Sequence, residues 1–154
     1  MPEVNCGFIN TPDVSGADLL TSYGPTLSVN IGFDSLWSVD NIPYSAPISS
    51  ISGINALVDT GASESCIDDF LAVQLNLPVI DQRPVSGAGG QHEAKIYLAQ
   101  IHIPDLNYTI YGAFAGVHLA AGGQPHQALI GRTFLSKFTM TYEGNTGTVT
   151  IKSV

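Results

Sequence analysis

Positive charge is scarce in this chain: five Lys and Arg stand against thirteen Asp and Glu, a net charge of -8 over 154 residues. Such a balance repels nucleic-acid phosphates and anionic membrane surfaces, so neither is an expected partner. Long apolar runs are missing too, and none approaches the roughly 18 consecutive residues that a bilayer crossing requires. Cysteine is limited to Cys6 and Cys66, too few for a disulfide framework. A single bridge between them fits the count, but a reducing compartment is the simpler reading. The opening residues Met1-Pro2-Glu3-Val4-Asn5 have neither a basic nor an apolar signal region. A cytoplasmic location is therefore expected, with excision from an anchored or secreted precursor as the alternative. Charged residues make up only 12% of the chain and hydrophobic ones 44%, which excludes a disordered polymer and fits one buried core.

What the chain has in quantity is turn formers, sixteen Gly and nine Pro, and these predict many short strands. Residues 1–24 read as an N-terminal arm, with Ser15 and Asp18 spaced to cap a short helical turn before Leu19-Leu20. A domain over 25–154 follows. Leu27, Val29, Ile31 and Phe33 alternate with polar or small residues, as in a half-buried strand. Residues 34–53, rich in Ser, Pro, Asn and Asp, read as a long loop or irregular arm, in which Trp37 is either a core anchor or a flap contact. Strand returns from Ile54 to Val58. A short helix capped by Ser65 is predicted from the spacing of Ile67, Phe70, Leu71 and Leu75. Extended segments are expected over 79–85, 94–103 (with a bulge near Ala99-Gln100, where the alternation changes phase), 108–111, 113–117 and 128–131. Phe134 and Leu135 fall on a helical turn, and a hairpin over 138–152 ends the chain. The predicted class is all-β with one or two short helices.

The segment with most chemical content is Ala56-Leu57-Val58-Asp59-Thr60-Gly61-Ala62. Alone, an Asp-(Ser/Thr)-Gly triplet arises by chance in roughly one chain in ten to twenty of this length, and it can mean only a strand ending in a turn. Its company is more telling. Leu129-Ile130-Gly131-Arg132 lies about seventy residues downstream, and between the two sits the Gly-rich tip Gly87-Ala88-Gly89-Gly90 leading into a long strand.

Together these motifs resemble the retropepsin family, the single-domain aspartic proteases of retroviral type, over roughly residues 25–151. The stretch from Leu129 to Phe138 is most similar to the cellular and bacterial members. The resemblance implies a closed acid-protease-type β-barrel or sandwich, one retropepsin lobe. It implies Asp59, Thr60 and Gly61 as the catalytic triplet. Ala62, Glu64 and the flap residues Gly87, Ala88, Gly89 and Gly90 would then contact substrate. It also implies an apolar-apolar-Gly-Arg segment passing beneath the catalytic loop. One departure stands out: Ser63 precedes Glu64 where viral members often carry acidic residues directly after Ala. The usual carboxylate partner of the Gly-Arg arginine is thus shifted or lost, and Glu64 either lines a substrate pocket or pairs with Arg132.

Counting residues agrees with the resemblance. Hydrolysing an amide with water needs a general base and a general acid, and two close carboxylates sharing a proton supply both. The chain has one Asp-Thr-Gly, and Asp34-Ser35 is followed by Leu36. A second carboxylate must come from a second copy across a two-fold axis. The expected function is an endopeptidase acting as a homodimer on extended protein or peptide substrates, without cofactor or metal. Alternatives are a peptide-binding or scaffolding module on the same fold, and a processing domain cut from a larger precursor. His92, His102, His118 and His126 lack compact ligand spacing. Gly87-Ala88-Gly89-Gly90 fails the dinucleotide pattern, since His92 stands where a third Gly is required. Cys66 reads as a structural thiol, with no cue for an activating base.

Overall fold

Alternating apolar side chains turn one face of most strands toward a shared interior. The protein is described here from a computed structural model covering residues 2–36, 50–87 and 90–154. In chain order the strands are β1 (Glu3–Asn5), β2 (Thr26–Gly32), β3 (Ser50–Val58), β4 (Cys66–Asp68), β5 (Val79–Gly87), β6 (Gly90–Ile103), β7 (Tyr108–Val117), β8 (Ala128–Ile130), β9 (Phe138–Glu143) and β10 (Thr148–Ser153). The helices are α1 (Gly16–Tyr23), α2 (Asp69–Gln74) and α3 (Arg132–Leu135), and a 3-10 turn covers Pro104–Leu106.

The neighbours β2-β3-β8-β4-β7-β6 form a ring that closes through pairing of β6 back onto β2. The result is a closed six-strand barrel, which leaves those strands without a free edge. Val29, Ile31, Ala56, Val58, Ile67, Ala99, Ile101, Ala128 and Ile130 are buried. They are mostly β-branched residues or alanine, which suit a crowded pleated wall. The predicted all-β class is what the chain adopts.

β5 stays outside the ring and pairs only with β6, so the two project as a hairpin. A smaller sheet, β1-β10-β9, sits beside the barrel. The N-terminal segment is knitted to this sheet at close range. Gly147 adopts φ +84°, and a Cβ there would come within 2.5 Å of the Gly16 carbonyl oxygen, so both the conformation and the contact demand glycine. The Ser15 hydroxyl accepts the Asp18 N–H at 3.1 Å, capping α1 as the spacing predicted.

Three local expectations need correction. β3 begins at Ser50, inside the segment read as a loop up to residue 53; Gly53, at φ +71°, sits where the β2–β3 register shifts. The rest of that loop, 37–49 with Trp37, lies outside the described residues. The predicted helix starts later: Cys66–Asp68 is strand, and α2 is capped by Asp68 rather than Ser65. Ile67 is buried as a barrel residue, whereas Phe70 is 65% exposed; the helical spacing was partly a coincidence of strand and helix joined end to end. The phase change in β6 is not a bulge either, for its register with β7 runs unbroken from Ile96↔Ala115 to Ile103↔Tyr108. Instead both faces of the strand are covered. Ala94 and Ile96 are buried on the outer, hairpin side, while Tyr97, Ala99, Ile101 and Ile103 are buried in the barrel. The irregularity is on β5, at the shift between Val79 and Asp81.

Candidate active site

Val58 ends β3 in parallel register with Ile130, and its N–H donates to the Pro25 carbonyl at 2.8 Å. The Asp59 N–H donates to the Ile130 carbonyl at 2.9 Å, carrying the pairing one residue past the strand. The chain then turns on itself. Oδ1 of Asp59 accepts the Gly61 N–H at 2.9 Å, and its carbonyl accepts the Ala62 N–H at 3.2 Å. Asp59 is thereby a half-buried carboxylate with one oxygen engaged, on a loop whose root is fixed in the barrel wall.

Gly131 and α3 hold that loop from below. The Gly131 N–H donates to the Ser65 hydroxyl at 3.0 Å, Arg132 N–H to the Ala62 carbonyl at 2.9 Å, and Thr133 N–H to the Ser63 carbonyl at 3.0 Å. A Cβ at Gly131 would lie 2.6 Å from the Glu64 carbonyl, closer than real side chains approach, so this crossing requires glycine. Nη1 of Arg132 donates to the Thr60 carbonyl at 2.8 Å. The arginine therefore braces the loop through the backbone, and among the described residues it has no carboxylate partner. The apolar-apolar-Gly-Arg segment does pass beneath the Asp59 loop.

A cleft of about 680 Å³ opens on the outer face of the barrel next to this loop. Its wall is the 61–66 segment, its floor is Ile96, Ala113 and Ala115, and its far side is the hairpin arm 83–86. Of the predicted substrate contacts, Ala62 and Glu64 lie on the cleft. Gly87 and Gly90 pair as the last rung of the hairpin; Ala88 and Gly89 lie outside the described residues.

Cys66 lines the same cleft. Its thiol is pushed up to about 11, first by burial and then by the negative charges of Asp59 and Glu64. At neutral pH it is a protonated thiol, poorly suited to nucleophilic attack. Cys6 is buried, likewise up to about 11, and both cysteines are free.

The histidines are dispersed. His102 Nδ1 pairs with the Thr109 hydroxyl and His126 Nε2 with that of Thr26, each at 2.9 Å. His92 and His118 bring their rings to 6.5 Å. No group of three or more metal-type side chains converges among the described residues. No helix there is long and apolar enough to cross a membrane.

Sequence reasoning missed two buried polar residues that fasten loops to the barrel. Asp68 is 1% exposed and accepts the N–H groups of Leu119 and Ala120, 3.0 Å each, and of Leu71 at 3.2 Å. Gln100, fully buried, exchanges two hydrogen bonds with the backbone of Asp34. Apart from the helix-capping bond to Leu71, their partners are far along the chain, so no local motif announces them.

No curated protein matches the chain. Residues 49–134 match the model of an aspartyl protease family, a span that contains the Asp59 loop, the hairpin, the cleft floor and the Gly131 crossing. With more than half of its length covered, and a closed all-β barrel of acid-protease type around the match, the chain belongs to the retropepsin-like aspartyl protease family.

Proposed function

We propose that the protein is an aspartic endopeptidase in which two copies each contribute Asp59. The observation that carries this reading is the placement of Asp59. It is the carboxylate of the single Asp-Thr-Gly, half-buried, with one oxygen tied to Gly61, on a loop whose next residues, Gly61 and Ala62, line a cleft large enough for peptide side chains. Two carboxylates a few ångströms apart hold one proton between them, because both cannot ionise at that distance. The ionised member takes a proton from the attacking water; the protonated member gives one to the departing amine nitrogen. Thr60 supports the paired loops, and Gly61 leaves room for the substrate backbone. Residues 86–91 close over an extended peptide and exclude water. In this reading 25–154 is the catalytic unit, and 1–24 is an arm. The substrate is a protein or peptide, and the partner is a second copy of the chain.

Substitution and mixing test both halves of the proposal. Asp59→Asn keeps the shape of the side chain but can neither accept nor share the proton, so turnover should fall by about a thousandfold or more. Added in excess to the wild-type protein, it should also quench the remaining activity, since mixed dimers hold one carboxylate. A wild-type rate for Asp59→Asn would remove the aspartic mechanism. Activity that is merely diluted by the variant would remove the shared site.

A further inference from the structure

Glu64 is an exposed carboxylate on the cleft wall with no hydrogen-bond or ionic partner among the described residues. It does not pair with Arg132, whose guanidinium reaches the Thr60 carbonyl. Below it runs a row of side chains across three strands. Cys66 on β4 is in register with Ala115 on β7, and Ala115 is in register with Ile96 on β6. The methyl group of Ala115 between two larger neighbours leaves a trough, and Ala113, two residues along the same strand face, extends it. The trough is floored by aliphatic groups and ends at a free carboxylate.

Negative charge predominates around it. Burial is the largest influence on the Cys66 thiol, and the next two are the negative charges of Asp59 and Glu64, so the wall at Cys66 feels both carboxylates. The one cation lining the cleft, Arg83, has its guanidinium 3.7 Å from the Asp81 carboxylate on its own arm and is largely in solvent. An apolar side chain would fit the floor but leave Glu64 with water alone; an acidic one would meet repulsion. A long unbranched stem with a cationic head satisfies both ends, as lysine and arginine do elsewhere when they lie along apolar surface.

We propose that the cleft beside Asp59 is a subsite for a lysine or arginine side chain of the peptide substrate, with Glu64 as its specificity-determining residue and Ala115 providing the room. This rests on the peptidase reading above and names the substrate class for it.

The test uses peptides that differ at one position among Lys, norleucine, Ala and Glu. Cleavage by the wild-type protein is measured, along with binding of the same peptides to Asp59→Asn. The Lys peptide should exceed the norleucine peptide in kcat/KM by about fivefold, the scale of a solvent-exposed ion pair, and the Glu peptide by more. Glu64→Gln should bring the Lys-to-norleucine ratio to about one, and Glu64→Lys should favour the Glu peptide. Ala115→Leu should lower both long side chains relative to the Ala peptide. Cleavage with no preference for Lys, or a preference that survives Glu64→Gln, overturns the subsite and leaves the peptidase standing. Binding to Asp59→Asn with the Glu64-dependent order, but no cleavage by wild type, overturns the peptidase and supports the subsite. Absence of both overturns both.

Discussion

Asp59 and Asp68 show how one residue type is given opposite tasks by its surroundings. Asp59 accepts one local N–H on one of its oxygens; Asp68 spends both oxygens on backbone donors, one capping its own helix at Leu71 and the other holding the distant Leu119 and Ala120. Removing the Asp68 carboxylate would leave those buried donors unsatisfied, each costing on the order of 1 kcal/mol or more. Asp68→Ala is therefore expected to destabilise the fold by about 3 kcal/mol in urea unfolding, a sum of such hydrogen bonds. A loss under 1 kcal/mol would mean that water reaches Leu119 and Ala120 directly. The same contrast explains what the sequence discloses at this scale. Asp59 stands out because its motif lies in the next two residues and in a second segment; Asp68 does not, because two of its three partners come from 51 and 52 residues away.

At the level of elements, period-two alternation located β2 well, since that strand has one face in the core and one toward polar surroundings. It misled on β6, which is buried on both faces over much of its length, so its apolar residues do not alternate. α2 was misplaced because Ile67 supplied an apolar position at helical spacing from inside a strand. Such errors arise wherever tertiary contacts, rather than local preference, decide which face is inside. β5 and β6 make a further distinction that is measurable. β5 hydrogen-bonds on one side only, whereas the 100–102 stretch of β6 is held between β7 and β2. In the unliganded protein, backbone amides of 81–86 are expected to exchange with solvent about a hundredfold faster than those of 100–102, because a one-sided arm opens without breaking the barrel. Equal protection would show that the arm is as fixed as the barrel.

On the proposed function, the molecule as a whole would face a conflict over pH. A proton-sharing carboxylate pair would work on the acid side of neutrality, yet burial holds His102 and His126 below their ordinary value of 6.5. The Thr26 hydroxyl donates to the Gly24 carbonyl and so accepts from Nε2 of His126, whose buried Nδ1 has no partner among the described residues. The unfolded chain binds these protons below pH 6.5 while the folded one resists, so stability should fall as pH drops from 6.5 toward the folded values and level out beneath them. Above 6.5 these two residues contribute no slope. His126→Gln should flatten part of the decline in urea midpoints between pH 7 and 5; an unchanged slope would assign the acid sensitivity elsewhere. The pairing of β3 with β8 sets a limit of another kind, on time. β3 ends at residue 58, but the neighbour that receives the Asp59 N–H begins at residue 128. A growing chain cannot close the barrel or present its aspartate until that late strand has emerged, and contacts of such long separation form slowly. Synthesis order thus makes the anchoring of the Asp59 loop a late event, however early its own residues are made.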